Sequence, residues 1–167
     1  KGGSINGYIN NPDIARLRGL EVEWQSNLWF LPGVLRGLVL NVNYTYADSR
    51  IKYPKYVPIY VTKSGPLPIK TLVGTEDQGY YDRLLDQPTH IVNFTVGFDY
   101  EGFSIRTSMQ YKSNVFVSNN FYEQLRSTTD PLTLWDMKIR QKLPVNGLQV
   151  FLNLNNISKA VDQTSNC

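Results

Sequence analysis

Cysteine and histidine are nearly missing from this chain. One cysteine, Cys167, and one histidine, His90, stand among 167 residues. A single cysteine excludes a disulfide within the chain. A single histidine makes neither a catalytic dyad nor a metal cluster, and where a loop enters a strand it reads as structural. No glycine-rich phosphate loop, Cys/His cluster or nucleophile motif occurs, and the loop acids Asp82 and Asp86 have no evident partner. No catalytic residue, metal ligand or cofactor is therefore expected. Charge of one sign is lacking too: 17 basic against 14 acidic side chains leave +3. That balance, with no basic cluster interleaved with aromatics, excludes a nucleic-acid partner. Long apolar runs are absent, and nothing approaches the roughly 18 residues of a membrane helix. The opening Lys1-Gly2-Gly3-Ser4-Ile5-Asn6-Gly7 is polar and resembles no secretory leader. An exported protein would have lost its leader or begun upstream of Lys1, and the second option fits the strand count below.

What the chain has in quantity is aromatic residues and alternation. Eleven Tyr, seven Phe and three Trp are spread along segments with a period of two, the mark of strands with two unlike faces. From Gly19, the residues Leu20, Val22, Trp24 and Leu28 share one face, with Ser26 the exception; Glu21, Glu23, Gln25 and Asn27 share the other. Pro32 and Gly33 break the strand. The return strand sets Leu38, Leu40, Val42, Tyr44 and Tyr46 against Val39, Asn41, Asn43 and Thr45. From Ala47 to about Pro88 the pattern dissolves among Pro54, Pro58, Pro66 and Pro68, so a long loop is predicted, with an extended segment at Val57 to Lys63.

Alternation resumes at His90. Val92, Phe94, Val96, Phe98 and Tyr100 oppose Asn93, Thr95, Gly97 and Asp99. Glu101-Gly102 makes a hairpin turn into Phe103, Ile105, Thr107, Met109 and Tyr111, which oppose Ser104, Arg106, Ser108, Gln110 and Lys112. After an irregular stretch from Asn114 to Pro131, Trp135, Met137, Ile139 and Leu143 oppose Asp136, Lys138, Arg140 and Lys142. Asn146-Gly147 turns the chain into Leu148, Val150, Leu152 and Leu154, with Phe151 the one apolar residue on the polar side. Six strands in three hairpins are predicted, with no helix and a polar tail from Ser158.

Two features point to an outer-membrane wall rather than a soluble barrel, and the aromatics add support. The polar face is rich in amides and hydroxyls, as a wet lumen requires. The connections alternate short and long, which places the short turns at one end and segments 47–89 and 114–131 at the other. Short periplasmic turns and long outer loops are a barrel trait, as are strands of about 10 residues. Trp24, Trp29, Phe30, Tyr44, Tyr46, Phe98, Tyr100, Phe103, Tyr111 and Trp135 lie mostly near strand ends, where interfacial girdles form. Ordinary core packing or β propensity is the lesser alternative for any single aromatic. Six strands cannot close, since such barrels start at about 8, so a fragment of a larger barrel is expected.

Arg18-Gly19-Leu20-Glu21-Val22-Glu23 resembles the R-G-x-E-x-E/D strand of TonB-dependent receptors. Gly37-Leu38-Val39-Leu40-Asn41-Val42-Asn43-Tyr44-Thr45-Tyr46 resembles the strand that follows it there, and Leu148-Gln149-Val150-Phe151-Leu152-Asn153-Leu154-Asn155-Asn156-Ile157 a late one. The style resembles that of Bacteroidetes-type receptors. The resemblance implies an all-β, antiparallel, up-and-down transmembrane barrel of about 22 strands. Residues 1–167 would be a late part of it, without the plug that fills the lumen and contacts TonB. It further implies the bacterial outer membrane, lipid and the TonB complex as partners, a surface lipoprotein as a possible one, and energised import of a scarce nutrient. A ferric siderophore is the first expectation for that nutrient, an oligosaccharide or cobalamin the next.

Two residue groups are candidates for ligand contact. Loop aromatics Tyr80, Tyr81, Phe121 and Tyr122 suit stacking on a siderophore or glycan; a local aromatic cluster that folds the loops suits them equally. Arg106, Lys112, Lys138, Arg140 and Lys142 point into the lumen in a barrel, toward an anionic substrate or acidic plug groups; a solvated polar wall is the plainer reading. Three rival functions remain. A passive porin or structural barrel lacks a plug. A soluble β-sandwich or lipocalin-like module requires Trp24, Phe94 and Ile105 to meet in a closed core. A barrel enzyme needs a catalytic constellation at its rim.

Overall fold

The computed structural model describes residues 10–63, 69–120, 122–145 and 147–166. Residues 1–9, with the polar opening, and Pro66, Pro68, Phe121, Asn146 and Cys167 lie outside the described residues. In chain order the strands are β1 (Arg16–Asn27), β2 (Leu38–Tyr53), β3 (Tyr56–Lys63), β4 (Ile69–Asp77), β5 (Tyr80–Asp82) and β6 (His90–Tyr100). There follow β7 (Phe103–Lys112), β8 (Phe116–Ser118), β9 (Ser127–Thr129), β10 (Leu132–Lys142), β11 (Gln149–Leu154) and β12 (Thr164–Asn166). Two short 3-10 turns, Gly33–Gly37 and Glu123–Leu125, are the only helical elements among the described residues, and neither could cross a membrane. The chain divides into two units, residues 18–48 with 85–167 and residues 1–17 with 49–84.

The larger unit is a wall of antiparallel strands in the order β1-β2-β6-β7-β10-β11. These are the six predicted strands, neighbours in the predicted hairpins. The register keeps the two faces apart. Leu40 opposes Val96 and Val42 opposes Phe94; Phe94 opposes Met109, Met109 opposes Trp135, and Ile139 opposes Leu152. On the other face Asn43 opposes Asn93, Thr95 opposes Ser108, and Lys138 opposes Asn153. Glu101 and Gly102 turn β6 into β7 with φ of 44° and 85°, the two positive values of a type I′ turn. At the β1–β2 end, Leu28 N donates to Leu38 O at 2.9 Å. The 3-10 turn brings Gly37 so close to Asp99 that a Cβ would lie 2.0 Å from its carbonyl oxygen.

Within this unit and among the described residues, no second layer covers the apolar face. Tyr53, Val115 and Phe116 are the only buried hydrophobic residues among those described. Leu20 is 60% exposed, Trp24 53% and Val150 55%. The closed core that a soluble module requires of Trp24 is therefore absent. Burying one such side chain is worth about 1.5–3 kcal/mol, so a face of this kind demands an apolar solvent, and lipid supplies one. Among the described residues the wall does not close: β1 pairs only with β2, and β11 only with β10. Bare strand edges have no partner in hydrocarbon, so the sheet is part of a larger ring.

Segment 47–89 corrects the predicted long loop. β2 runs on to Tyr53, where Ile51, Lys52 and Tyr53 pair with Asp82, Tyr81 and Tyr80 of β5. The predicted extended segment is β3, and it forms a two-stranded ribbon with β4. Pro58 fits because a two-stranded ribbon consists of edges, where a missing N–H can face water. The ribbon is exposed on both sides, so alternation of polarity carries no information there. The irregular stretch 114–131 and the tail are corrected likewise: β8, β9 and β12 form a small sheet in the order β12-β9-β8. Between β11 and β12 the chain stays against β10, with Ile157 N on Trp135 O at 2.8 Å and Asn156 N on Asp136 Oδ1 at 2.7 Å.

Candidate functional site

The polar face of the wall carries a ladder of amides. Asn43 Nδ2 donates to Glu21 Oε1 at 2.9 Å, Asn93 Nδ2 to Asn43 Oδ1 at 3.5 Å, and Gln110 Nε2 to Asn93 Oδ1 at 3.2 Å. Four strands are thus joined through Asn43 and Asn93, which both donate and accept, with Glu21 accepting at one end and Gln110 donating at the other. Beside the ladder, Thr95 Oγ1 donates to Ser108 Oγ at 3.2 Å. The alternation places these groups on one face; their connection depends on register, which sequence alone leaves open.

Of the five basic residues singled out on this face, three come together. Arg106, Lys138 and Arg140 line a cleft of about 460 Å³ with Ser104, Phe151 and Asn153. Arg106 sits opposite Lys138 in the register, an arrangement of like charges that disfavours close pairing. It is relieved because Arg106 lies across Gly97 and grips Asp99, with Nη1 3.1 Å from Oδ1 and Nη2 on Oδ2. Asp99 is the residue that sequence reading missed; its place opposite Ser104, two positions from Gly97, was the available signal. Lys138 and Arg140 are exposed and form no ion pair among the described residues. Lys112 stands apart, 4.0 Å from Asp162, and Lys142 lies over Gly102 at the turn end of β10.

The loop aromatics divide between the units. Tyr80 and Tyr81 are adjacent on β5, so their side chains leave opposite faces. Tyr80 stacks on Tyr53 at 5.6 Å, and the Tyr53 hydroxyl donates to Arg83 O at 3.0 Å. Tyr53 is therefore buried packing rather than a loop contact residue. Tyr81 is exposed, with the Arg50 guanidinium 4.6 Å above its ring. Tyr122 belongs to the other unit, exposed at the start of the 3-10 turn, with its N–H on Asn120 Oδ1 at 3.1 Å. His90 is held structurally: its Nδ1 shares a 2.9 Å hydrogen bond with the Tyr44 hydroxyl, and its ring lies 5.4 Å from that of Tyr46.

Two clusters organise the long connections. Around β8 and β9, Val115 N donates to Thr129 Oγ1 at 3.0 Å, Thr129 N returns to Val115 O at 2.8 Å, and Ser113 Oγ accepts from Thr89 N and His90 N. At the ribbon's base, Asp77 accepts from Lys52 Nζ at 2.7 Å and from the N–H groups of Lys55 and Gly79 at 2.9 Å. The Lys52 hydrogen bond, followed by the Lys55 N–H, holds the Asp77 carboxyl below the usual carboxylate range. Among the described residues no group of three or more His, Cys, Asp or Glu is placed to hold a metal.

Comparison with known proteins adds one match. The family model described as "TonB dependent receptor-like, beta-barrel" fits residues 2–157. Among curated proteins and solved structures, nothing matches the chain.

Proposed function

The chain belongs to the TonB-dependent receptor-like β-barrel family, whose members are receptors and transporters of the bacterial outer membrane rather than enzymes, and from that premise we propose that it helps import a scarce nutrient, a ferric siderophore first. The observation that carries this reading is the one-layer wall, apolar on its outer face and hydrogen-bonded polar on the other, with both edges open. These strands belong to a ring of about 22, whose lumen holds a plug that meets TonB on the far side. Arg106, Lys138 and Arg140 line that lumen; with Arg106 held by Asp99, it is Lys138 and Arg140 that attract an anionic ligand or acidic plug groups, while Lys112 and Lys142 form solvated parts of the same face. Tyr80, Tyr81, Phe121 and Tyr122 serve the outer loops that meet the ligand, and a surface lipoprotein is a candidate helper.

The test is growth of the host with this receptor gene deleted. Poor growth under iron limitation, restored by excess ferric iron, supports siderophore import. Normal growth without iron but failure on an oligosaccharide as carbon source moves the substrate to glycans. A purified receptor that swells liposomes as an open pore would return the passive porin.

A further inference from the structure

Within the unit formed by residues 1–17 and 49–84, a cleft of about 600 Å³ is lined by Arg16, Arg50, Lys52, Asp13, Ile14 and Tyr81. Its three cations are unequally committed. Lys52 is taken, with Nζ 2.7 Å from Asp77 and 3.8 Å from Asp13. Arg16 and Arg50 make no ion pair among the described residues. Arg50 lies over the Tyr81 ring, a cation–π contact that orients the guanidinium plane and uses none of its N–H donors. The opposite wall is held in place: Asn11 Nδ2 donates to Lys52 O at 2.7 Å, and Asp13 N donates to Asn11 Oδ1 at 3.0 Å.

We propose that this cleft binds an oxyanion, a carboxylate or a phosphate, between the guanidinium groups of Arg16 and Arg50 with Tyr81 as its apolar wall. The guanidinium fork matches a planar or tetrahedral oxyanion bidentately, and two such forks beside one cleft with no protein carboxylate to satisfy them are the arrangement that recognition of this group requires. Asp13 and Asp77 together more than offset Lys52, so the two arginines leave the cleft with one net positive charge, carried by their guanidinium groups. The anion has two possible sources, a dissolved acid or the headgroup of a lipid. The assignment holds whichever nutrient the receptor transports.

The test uses the detergent-purified, full-length receptor and isothermal titration with citrate and with inorganic phosphate. Wild type is set beside Arg16→Gln/Arg50→Gln and beside Lys70→Gln, a ribbon lysine outside the cleft. Saturable binding of either anion, weakened tenfold or more in the double variant, unchanged in Lys70→Gln and weakened by salt, supports a dissolved ligand. A second arm places the same proteins in nanodiscs of phosphatidylcholine with and without phosphatidylglycerol. A rise in unfolding temperature with the anionic lipid, present in wild type and lost in the double variant, assigns the lipid source. Should the double variant fail to assemble, Arg50→Lys, which keeps the charge and removes the fork, is expected to weaken binding severalfold. Equal responses of wild type and variants in both arms, or no wild-type response in either, overturn the proposal.

Discussion

In the wall, β6 and β7 pair from Ile91 opposite Lys112 to Tyr100 opposite Phe103 without a slip; in the ribbon, β3 and β4 shift register between Ile59 and Tyr60. Both are antiparallel pairs of similar length. They differ in surroundings. A slip of one residue in the wall would turn Phe94 and Ile105 to the polar face and Asn93 and Arg106 to the apolar one, so two unlike solvents enforce the register. The ribbon meets water on both sides, with Tyr60, Val61, Leu72 and Val73 all exposed, and a bulge there exchanges nothing. Strict pairing is a property of the boundary the strands stand in, not of the strands.

Charge placement breaks this comparison most sharply. Phe94→Arg, in mid-strand on the apolar face, is expected to destabilise the folded receptor by about 2–4 kcal/mol, whereas Thr95→Lys next to it should cost well under about 1 kcal/mol. Urea titration in lipid vesicles, read by tryptophan fluorescence, measures both. Equal effects would mean that the faces are not solvated differently. Next in size is Thr129→Val, which removes the acceptor of a buried Val115 N–H. A loss of about 1–3 kcal/mol is expected, read as faster proteolysis within 114–131 while the wall strands stay protected. A matching loss of protection across the wall would show that the two regions unfold together.

The smallest effect is the pH response at the ribbon's base. The Asp77 carboxyl is depressed in the folded chain. Its stabilisation is therefore complete above the ordinary carboxylate value of about 4 and is lost as pH falls through the lower folded value. Hydrogen exchange should show the Lys55 and Gly79 amides protected at pH 5 to 7 and released in stronger acid. In Asp77→Asn they should exchange faster already at pH 7. Protection of these amides that does not change with pH would remove Asp77 as the fastening point.

The wall was legible from sequence because each strand repeats one message. Leu40 through Tyr46 and Val92 through Tyr100 alternate without interruption, and Glu101-Gly102 announces its own turn. Of the ribbon only the extended segment at Val57 to Lys63 was legible, its pairing with β4 was not, and neither was the β8–β9–β12 sheet. Their strands are short or wet on both faces, and Pro58 argued against a strand that an edge position permits. Among the candidate contact residues, the types were visible but not the company they keep. Nothing local says that Arg106 reaches back to Asp99 while Lys138 and Arg140 form no ion pair among the described residues, or that Tyr80 stacks on Tyr53 while Tyr81 is exposed beneath Arg50.

Gly97 has a consequence that is electrical. The flat strand surface it leaves is where the Arg106 side chain rests, and a Cβ at that position would stand 2.5 Å from Arg106 Cδ. A guanidinium locked to a carboxylate projects little field beyond its own neighbourhood, while the same two groups apart would act on every mobile ion within about 10 Å. One missing methyl group thus sets whether this stretch of the polar face acts on passing salt as a neutral dipole or as separate fixed charges of opposite sign.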